Sequence, residues 1–138
     1  MDKRIEDLFA DYGKSFSALE LQKTAQLYSK DLIAAGPKGI ISQTRDEFLA
    51  NAGKAAEFYR SVGQQSAKAL SMKETWFGED YAMVTVHWGV TFEKLDKPVE
   101  FDVSYLVQLT DETPKIILFI SHEDEQEMMK SLGLLKAA

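Results

Sequence analysis

The chain carries two histidines, His87 and His122, and no cysteine. Imidazole exchanges a proton near neutral pH, so these two residues are the first candidates for acid–base chemistry. The lack of thiols excludes thiolate nucleophiles, thiolate metal sites, iron–sulfur clusters and disulfide frameworks together. His87 sits within VTVHWGVTF (Val84 to Phe92), and His122 opens the acidic run HEDE. A metal would need several of these groups on one side of the chain. Glu123 follows His122 on the opposite strand face, whereas Asp124 and Glu125 suit the first turn of a helix, where acids favour the dipole. With the two histidines also expected on opposite faces of a sheet, neither a metal nor a cofactor is expected. The stretch GPKG (Gly36 to Gly39) lacks the longer glycine spacing and the following helix of a phosphate loop, and reads as a turn.

Composition bounds the partners. The 138 residues, 45% of them hydrophobic with only 3 prolines, are the size of one compact domain spanning 1–138. The 22 acidic against 16 basic residues give a net charge of −6, a poor match for nucleic acid. No segment approaches the ~20 apolar residues that span a bilayer. The N-terminal MDKRIEDLF has no apolar run of signal-peptide length. A cytoplasmic protein with neither nucleic-acid nor membrane partners is expected.

Which way each histidine points depends on the elements that carry it. Ile5, Leu8, Phe9, Tyr12 and Phe16 recur at the spacing of one helical face, with Asp7, Asp11 and Lys14 opposite. A short second helix is expected from Glu20 to Ser29, with Leu21, Thr24, Ala25 and Tyr28 inward. DLIAAGPKGIIS breaks the period and reads as short extended pieces around a turn. Thr44 and Glu47 have the spacing of a capping box. The helix they start would carry Phe48, Leu49, Ala52, Ala55, Ala56, Tyr59 and Val62 inward and stop at Gly63. From Ser66 the period becomes two, giving strands at 66–77, 81–94, 99–110 and 115–123, joined as antiparallel hairpins by GED, LDKP and DETP. A last helix is expected from Glu125 to Leu132, ending at Gly133. Helices first and then consecutive strands predict an α+β fold, a curved antiparallel sheet wrapped around the helices.

Placing the LDKP turn at Asp96-Lys97 sets Phe92 opposite Phe101, Val90 opposite Val103, Trp88 opposite Tyr105, Val86 opposite Val107 and Val84 opposite Leu109. Every pair on this face is apolar or aromatic, so it is the inner face. His87 then lies on the other face beside Leu106, with Asp102 opposite Thr91. A DETP turn centred on Glu112-Thr113 puts Ile116, Leu118, Ile120 and His122 inward and Ile117, Phe119 and Ser121 outward. Met72, Trp76 and Met83 are assigned to the same outer face. An outer face carrying Trp76, His87, Leu106 and Phe119 suits a two-fold interface, so a homodimer joined through the sheet is expected.

The segments LFADY, AQLYSKDLIAAGP, RDEFLANAGKAAEFYR, FDVSYLVQL and KIILFISHEDE occur in an order that resembles the nuclear transport factor 2-like superfamily over nearly the whole chain. This group of cone-shaped α+β domains includes ketosteroid isomerase, the polyketide cyclases and scytalone dehydratase. The isomerase pattern implies a tyrosine at the end of LFADY, and Tyr12 is present. It implies an aspartate base before the proline after the second helix, where this chain has Gly36. It implies a second acid in the strand of FDVSYL, where this chain has Tyr105. Glycine accepts no proton, and tyrosine, with an ordinary pKa of about 10, accepts one poorly, so isomerisation by that mechanism is not expected.

The resemblance implies that Tyr12, Tyr105, Trp88, Phe101 and His122 converge between the first helix and the concave sheet, with Tyr28 and Tyr59 closing the walls. Such a cavity would take a small, mostly apolar molecule. His122, at a strand end on the expected pocket side, is the acid–base candidate, with Tyr12 or Tyr105 as its partner in a cofactor-free cyclase, dehydratase, isomerase or hydrolase. A non-catalytic dimerisation module with a filled cone is the remaining alternative.

Overall fold

The Asp2 side chain accepts a hydrogen bond from the Arg4 backbone N–H and starts the first helix, α1 (Lys3–Ser17). In the computed structural model, which describes residues 1–110 and 113–133, α1 buries Ile5, Leu8 and Phe9, the face its spacing predicts. Gly13 lets α1 approach the sheet closely: a Cβ there would stand a tight 3.3 Å from the Ala67 carbonyl oxygen and 3.6 Å from the Trp88 ring. The second helix, α2 (Leu21–Ala25), is shorter than expected. Tyr28 belongs instead to a strand, β1 (Tyr28–Gly36), and is still fully buried.

The extended pieces around GPKG form a hairpin of β1 with β2 (Gly39–Thr44), closed by a turn with Gly39 at φ +138°. Thr44 then caps α3 (Arg45–Ser61) as its sequence predicts. The Thr44 hydroxyl accepts from the Glu47 N–H at 3.2 Å, and the Glu47 carboxylate accepts from the Thr44 N–H at 3.1 Å. Gly63, at φ +79°, lets the chain leave the helix. Four long strands follow: β3 (Gln64–Phe77), β4 (Tyr81–Phe92), β5 (Val99–Gln108) and β6 (Lys115–Ser121). The helix α4 (Glu125–Ser131) comes last.

The strands form one curved sheet in the order β2-β1-β6-β5-β4-β3. It has six strands rather than four, because β1 joins by parallel pairing with β6, a contact that leaves no hairpin signature in the sequence. The arrangement is the expected α+β cone. Among the described residues, no helix is long and apolar enough to cross a membrane.

Two registers differ from expectation, with different consequences. Trp88 stands opposite Phe101 rather than Tyr105, a slide of four residues along β5. An even slide preserves the faces, so Val84, Val86, Trp88, Val103, Tyr105 and Val107 are all buried inside. The β5–β6 pair is different. Val107 pairs with Ile116, but Leu106 pairs with Leu118, which leaves Ile117 as an extra residue in a bulge. Beyond that point every side chain takes the opposite face from the one expected. Phe119 and Ser121 stand inward opposite Tyr105 and Val103, while Leu118, Ile120 and His122 turn outward. The expected turn centre at Glu112-Thr113 lies partly outside the described residues.

Candidate functional site

Between α1, α3, α4 and the concave face of the sheet lies a cavity of about 250 Å³. The inner face of α3 borders this space, with Phe48, Ala52, Ala55 and Tyr59 on its wall. That explains why Ala56 is the one described residue of α3 that is fully buried. Ala55 both lines the cavity and is exposed, so the cavity reaches solvent beside α3.

One side of the cavity holds a chain of hydroxyls. The Tyr12 hydroxyl from α1 lies 2.7 Å from that of Tyr28 on β1, and the Trp88 indole N–H donates to the Tyr105 hydroxyl at 2.9 Å. The Tyr12 and Tyr105 rings pack edge-on, their centroids 5.5 Å apart. Three hydroxyl protons serve one contact among the three tyrosines, and Tyr105, whose oxygen accepts from Trp88, has its own O–H to spare. Burial pushes the Tyr12 phenol up to about 12 and holds Tyr28 and Tyr105 well above the usual tyrosine range. All three are therefore neutral donors at physiological pH.

A second polar group occupies another part of the wall. The Tyr59 hydroxyl donates to Glu125 Oε2 at 2.9 Å. Gln64 Nε2 donates to the Phe16 carbonyl at 3.1 Å, which fixes the amide orientation and leaves Gln64 Oε1 buried without a partner. Glu125 is half-buried as a residue, but its carboxyl is closely packed by protein. Burial raises its pKa above the usual carboxylate range. The Tyr59 hydrogen bond opposes the shift, and Asp124 and Glu123 reinforce it.

The sign of this shift makes a prediction. A carboxyl whose folded pKa is raised binds more protons folded than unfolded, so stability falls as pH rises from the unfolded value, about 4.3, through the folded one. Glu125→Gln should therefore raise Tm at pH 7, with a gain that shrinks toward pH 4. Calorimetric melting of both proteins across this range measures it. A gain that grows on acidification would contradict the burial of the carboxyl.

The sequence matches the family described as NTF2-like protein (DUF6841) over residues 2–124. The chain belongs to that family. Among curated proteins, none matches it. Solved structures share the fold at low identity. A cystatin-like-fold protein of unknown function from Nostoc punctiforme is 15% identical with a TM-score of 0.72, over 88% of this chain and 89% of that one. An NTF-2 like protein of unknown function from Shewanella oneidensis is 20% identical with a TM-score of 0.71, over 87% and 97%. The beta subunit of benzoate 1,2-dioxygenase from Burkholderia mallei is 12% identical with a TM-score of 0.69, over 89% and 90%. At these identities the likeness is one of fold.

This NTF2-like chain brings most of the expected pocket residues together. Tyr12, Tyr59, Trp88, Phe101 and Tyr105 line the cavity, and Tyr28 stands behind Tyr12 as its hydrogen-bond partner. His122 does not join them. It is exposed on the outer face, its Nε2 2.7 Å from Ser104 Oγ, because the bulge at Ile117 reverses the strand end. The expected pairing of His122 with Tyr12 or Tyr105 is therefore not formed.

The outer face is also corrected. His87 and Leu106 are on it, but Trp76 pairs with the buried Ala82 and packs against the inner core, as does Met72 opposite Val86. Phe119 lines the cavity. His87 meets Asp102 rather than Leu106: Nδ1 lies 2.7 Å from Asp102 Oδ1, and Nε2 lies 2.8 Å from Glu100 Oε1. These two carboxylates, Asp102 foremost, raise its pKa above the usual histidine value. Asp102 takes this place through the four-residue slide of β5.

Sequence reasoning missed Glu125, Gln64 and Ser121 as wall residues. Glu125 had a legible signal: it precedes Met129, which is 3% exposed, by four residues, and such a pair shares one helix face. Gln64 had none.

Proposed function

We propose that the protein binds a small, largely apolar molecule in the cone cavity, with an acceptor oxygen of the ligand taking the spare tyrosine O–H. The observation that carries this reading is the cavity itself, about 250 Å³ with mostly aromatic and aliphatic walls, beside the spare Tyr105 O–H. An apolar protein cavity of about 150 Å³ takes up benzene, so the space suits one or two fused rings. It also disfavours a filled cone acting purely as a dimerisation module. Acetophenone and ethylbenzene, similar in shape but differing in the carbonyl, test the reading by titration calorimetry. The ketone should bind more tightly, and Tyr105→Phe, which removes the spare O–H, should reduce its advantage by about 5- to 10-fold, the worth of one hydrogen bond of about 1 kcal/mol. Absence of binding by either compound would contradict the proposal.

The second reading is a cofactor-free enzyme acting on the same ligand. What favours it is the enclosed Glu125 carboxyl, which holds its proton to higher pH than an ordinary acid. In that reading the acid–base group is Glu125, since His122 faces away.

The same proposal includes self-association. Met83, Leu106, Leu118 and Ile120 interleave on the outer face with His87, Thr85 and Ser104, and Ile120 is 40% exposed. Light scattering at micromolar concentration is expected to give a dimer and Ile120→Asp a monomer. A strictly monomeric parent protein would contradict it.

A further inference from the structure

The charge of the cavity wall narrows the ligand class, an inference that rests on the binding reading above. No lysine, arginine or histidine lies among the described lining residues, and Glu125 is the acidic one. An anionic ligand would meet a carboxyl with no compensating cation, an arrangement that low-polarity surroundings make costly. Gln64 Oε1 adds a buried acceptor without a partner. The two acceptors are linked through one wall. The Phe16 carbonyl holds the Gln64 amide, the Phe16 ring lies edge-on to Tyr59 at 6.0 Å, and Tyr59 donates to Glu125. Phe92 packs against Tyr59 at 6.4 Å.

We propose that this part of the cavity binds the ammonium group of a small amine whose largely apolar body extends toward Trp88 and carries the acceptor oxygen to the tyrosine O–H. An ammonium offers three donors and no acceptor, which suits a wall presenting Gln64 Oε1 and the Glu125 carboxyl. Aromatic rings attract a cation through their negative faces. The net charge of −6 favours the approach of cations to the protein.

Binding requires the ionised form of Glu125, so affinity for the amine falls as pH is lowered through the Glu125 pKa. Of the other groups near that carboxyl, Tyr59 from α3, Tyr12 from α1, Tyr28 from β1 and Tyr105 from β5 stay neutral over this range, their phenols all raised. Glu123 and Asp124 flank it on its own stretch, and Asp124 forms an ion pair with Lys38 at 3.3 Å.

Titration calorimetry with 2-phenylethylamine, 2-phenylethanol and phenylacetate tests the inference on the intact chain. At pH 7.5 the amine should bind at least about tenfold more tightly than the alcohol, about 1.4 kcal/mol, and phenylacetate should not bind. Glu125→Gln should remove the amine's advantage, and Gln64→Leu, which leaves the acid in place, should reduce it several-fold. Lowering the pH toward 4, below the ordinary carboxylate value from which Glu125 is raised, should weaken the amine and not the alcohol. If the alcohol binds as well as the amine, the ammonium assignment is wrong while the cavity remains a binding site. If none of the three binds while acetophenone does, the ammonium assignment alone fails; if acetophenone does not bind either, both fail.

Discussion

Phe119→Asp is expected to destabilise the protein by about 3 kcal/mol or more, whereas His122→Asp should cost under about 1 kcal/mol. The contrast follows from the bulge at Ile117. The Phe119 ring stands inside, 6.0 Å from the Tyr28 ring, 6.3 Å from Phe48 and 6.4 Å from Tyr105. A carboxylate there loses these contacts and places a charge beside neutral phenols with no cation among the described residues of the wall. His122 is exposed and gives up one hydrogen bond, to Ser104. Uninterrupted alternation along β6 would exchange the two results. Urea unfolding of both variants decides between them, with the midpoints read at one fixed protein concentration.

The second large effect lies on α1. Phe9→Ala should cost about 3–5 kcal/mol, the range for removing a buried aromatic ring. Phe9 is 1% exposed, and its ring centroid lies 4.9 Å from that of Tyr105 and 6.2 Å from that of Tyr12. It therefore backs two members of the hydroxyl chain, and their loosening should weaken acetophenone binding as well. Phe9→Leu, which keeps most of the volume, should cost under about 1.5 kcal/mol. Thermal and urea melts measure the stability, and calorimetry the binding. A Phe9→Ala protein as stable as its parent would mean that α1 does not pack into the cone.

What the sequence could and could not tell divides along physical lines. Local signals held at α1 and α3 but not at α2, whose expected last turn is the start of β1. The α1 face, the Thr44–Glu47 box and the Gly63 stop are set by residues a few positions apart. The inner face of β4 and β5 was legible despite a register wrong by four residues, since an even slide leaves a period of two intact. Pairings between distant segments were not legible. β1 beside β6 is a parallel contact without a turn to announce it. The Ile117 bulge lies in KIILFIS, where apolar residues stand on both faces and give no alternation to locate an extra residue. That one residue moved His122 out of the cavity and Phe119 and Ser121 into it. In sequence Glu125 suits the first turn of a helix, where an acid favours the dipole, which describes its place on α4 but not the cavity wall it shares with Met129.

In the proposed function, ligand chemistry belongs to the concave interior and not to the outer face that carries both histidines. Backbone and indole NMR shifts during titration with acetophenone test it most directly. Saturable changes are expected, centred on Tyr12, Phe16, Trp88, Tyr105 and Glu125, with His87, Ser104 and His122 unmoved. Changes centred on those three outer residues, or no saturable change anywhere, would contradict it.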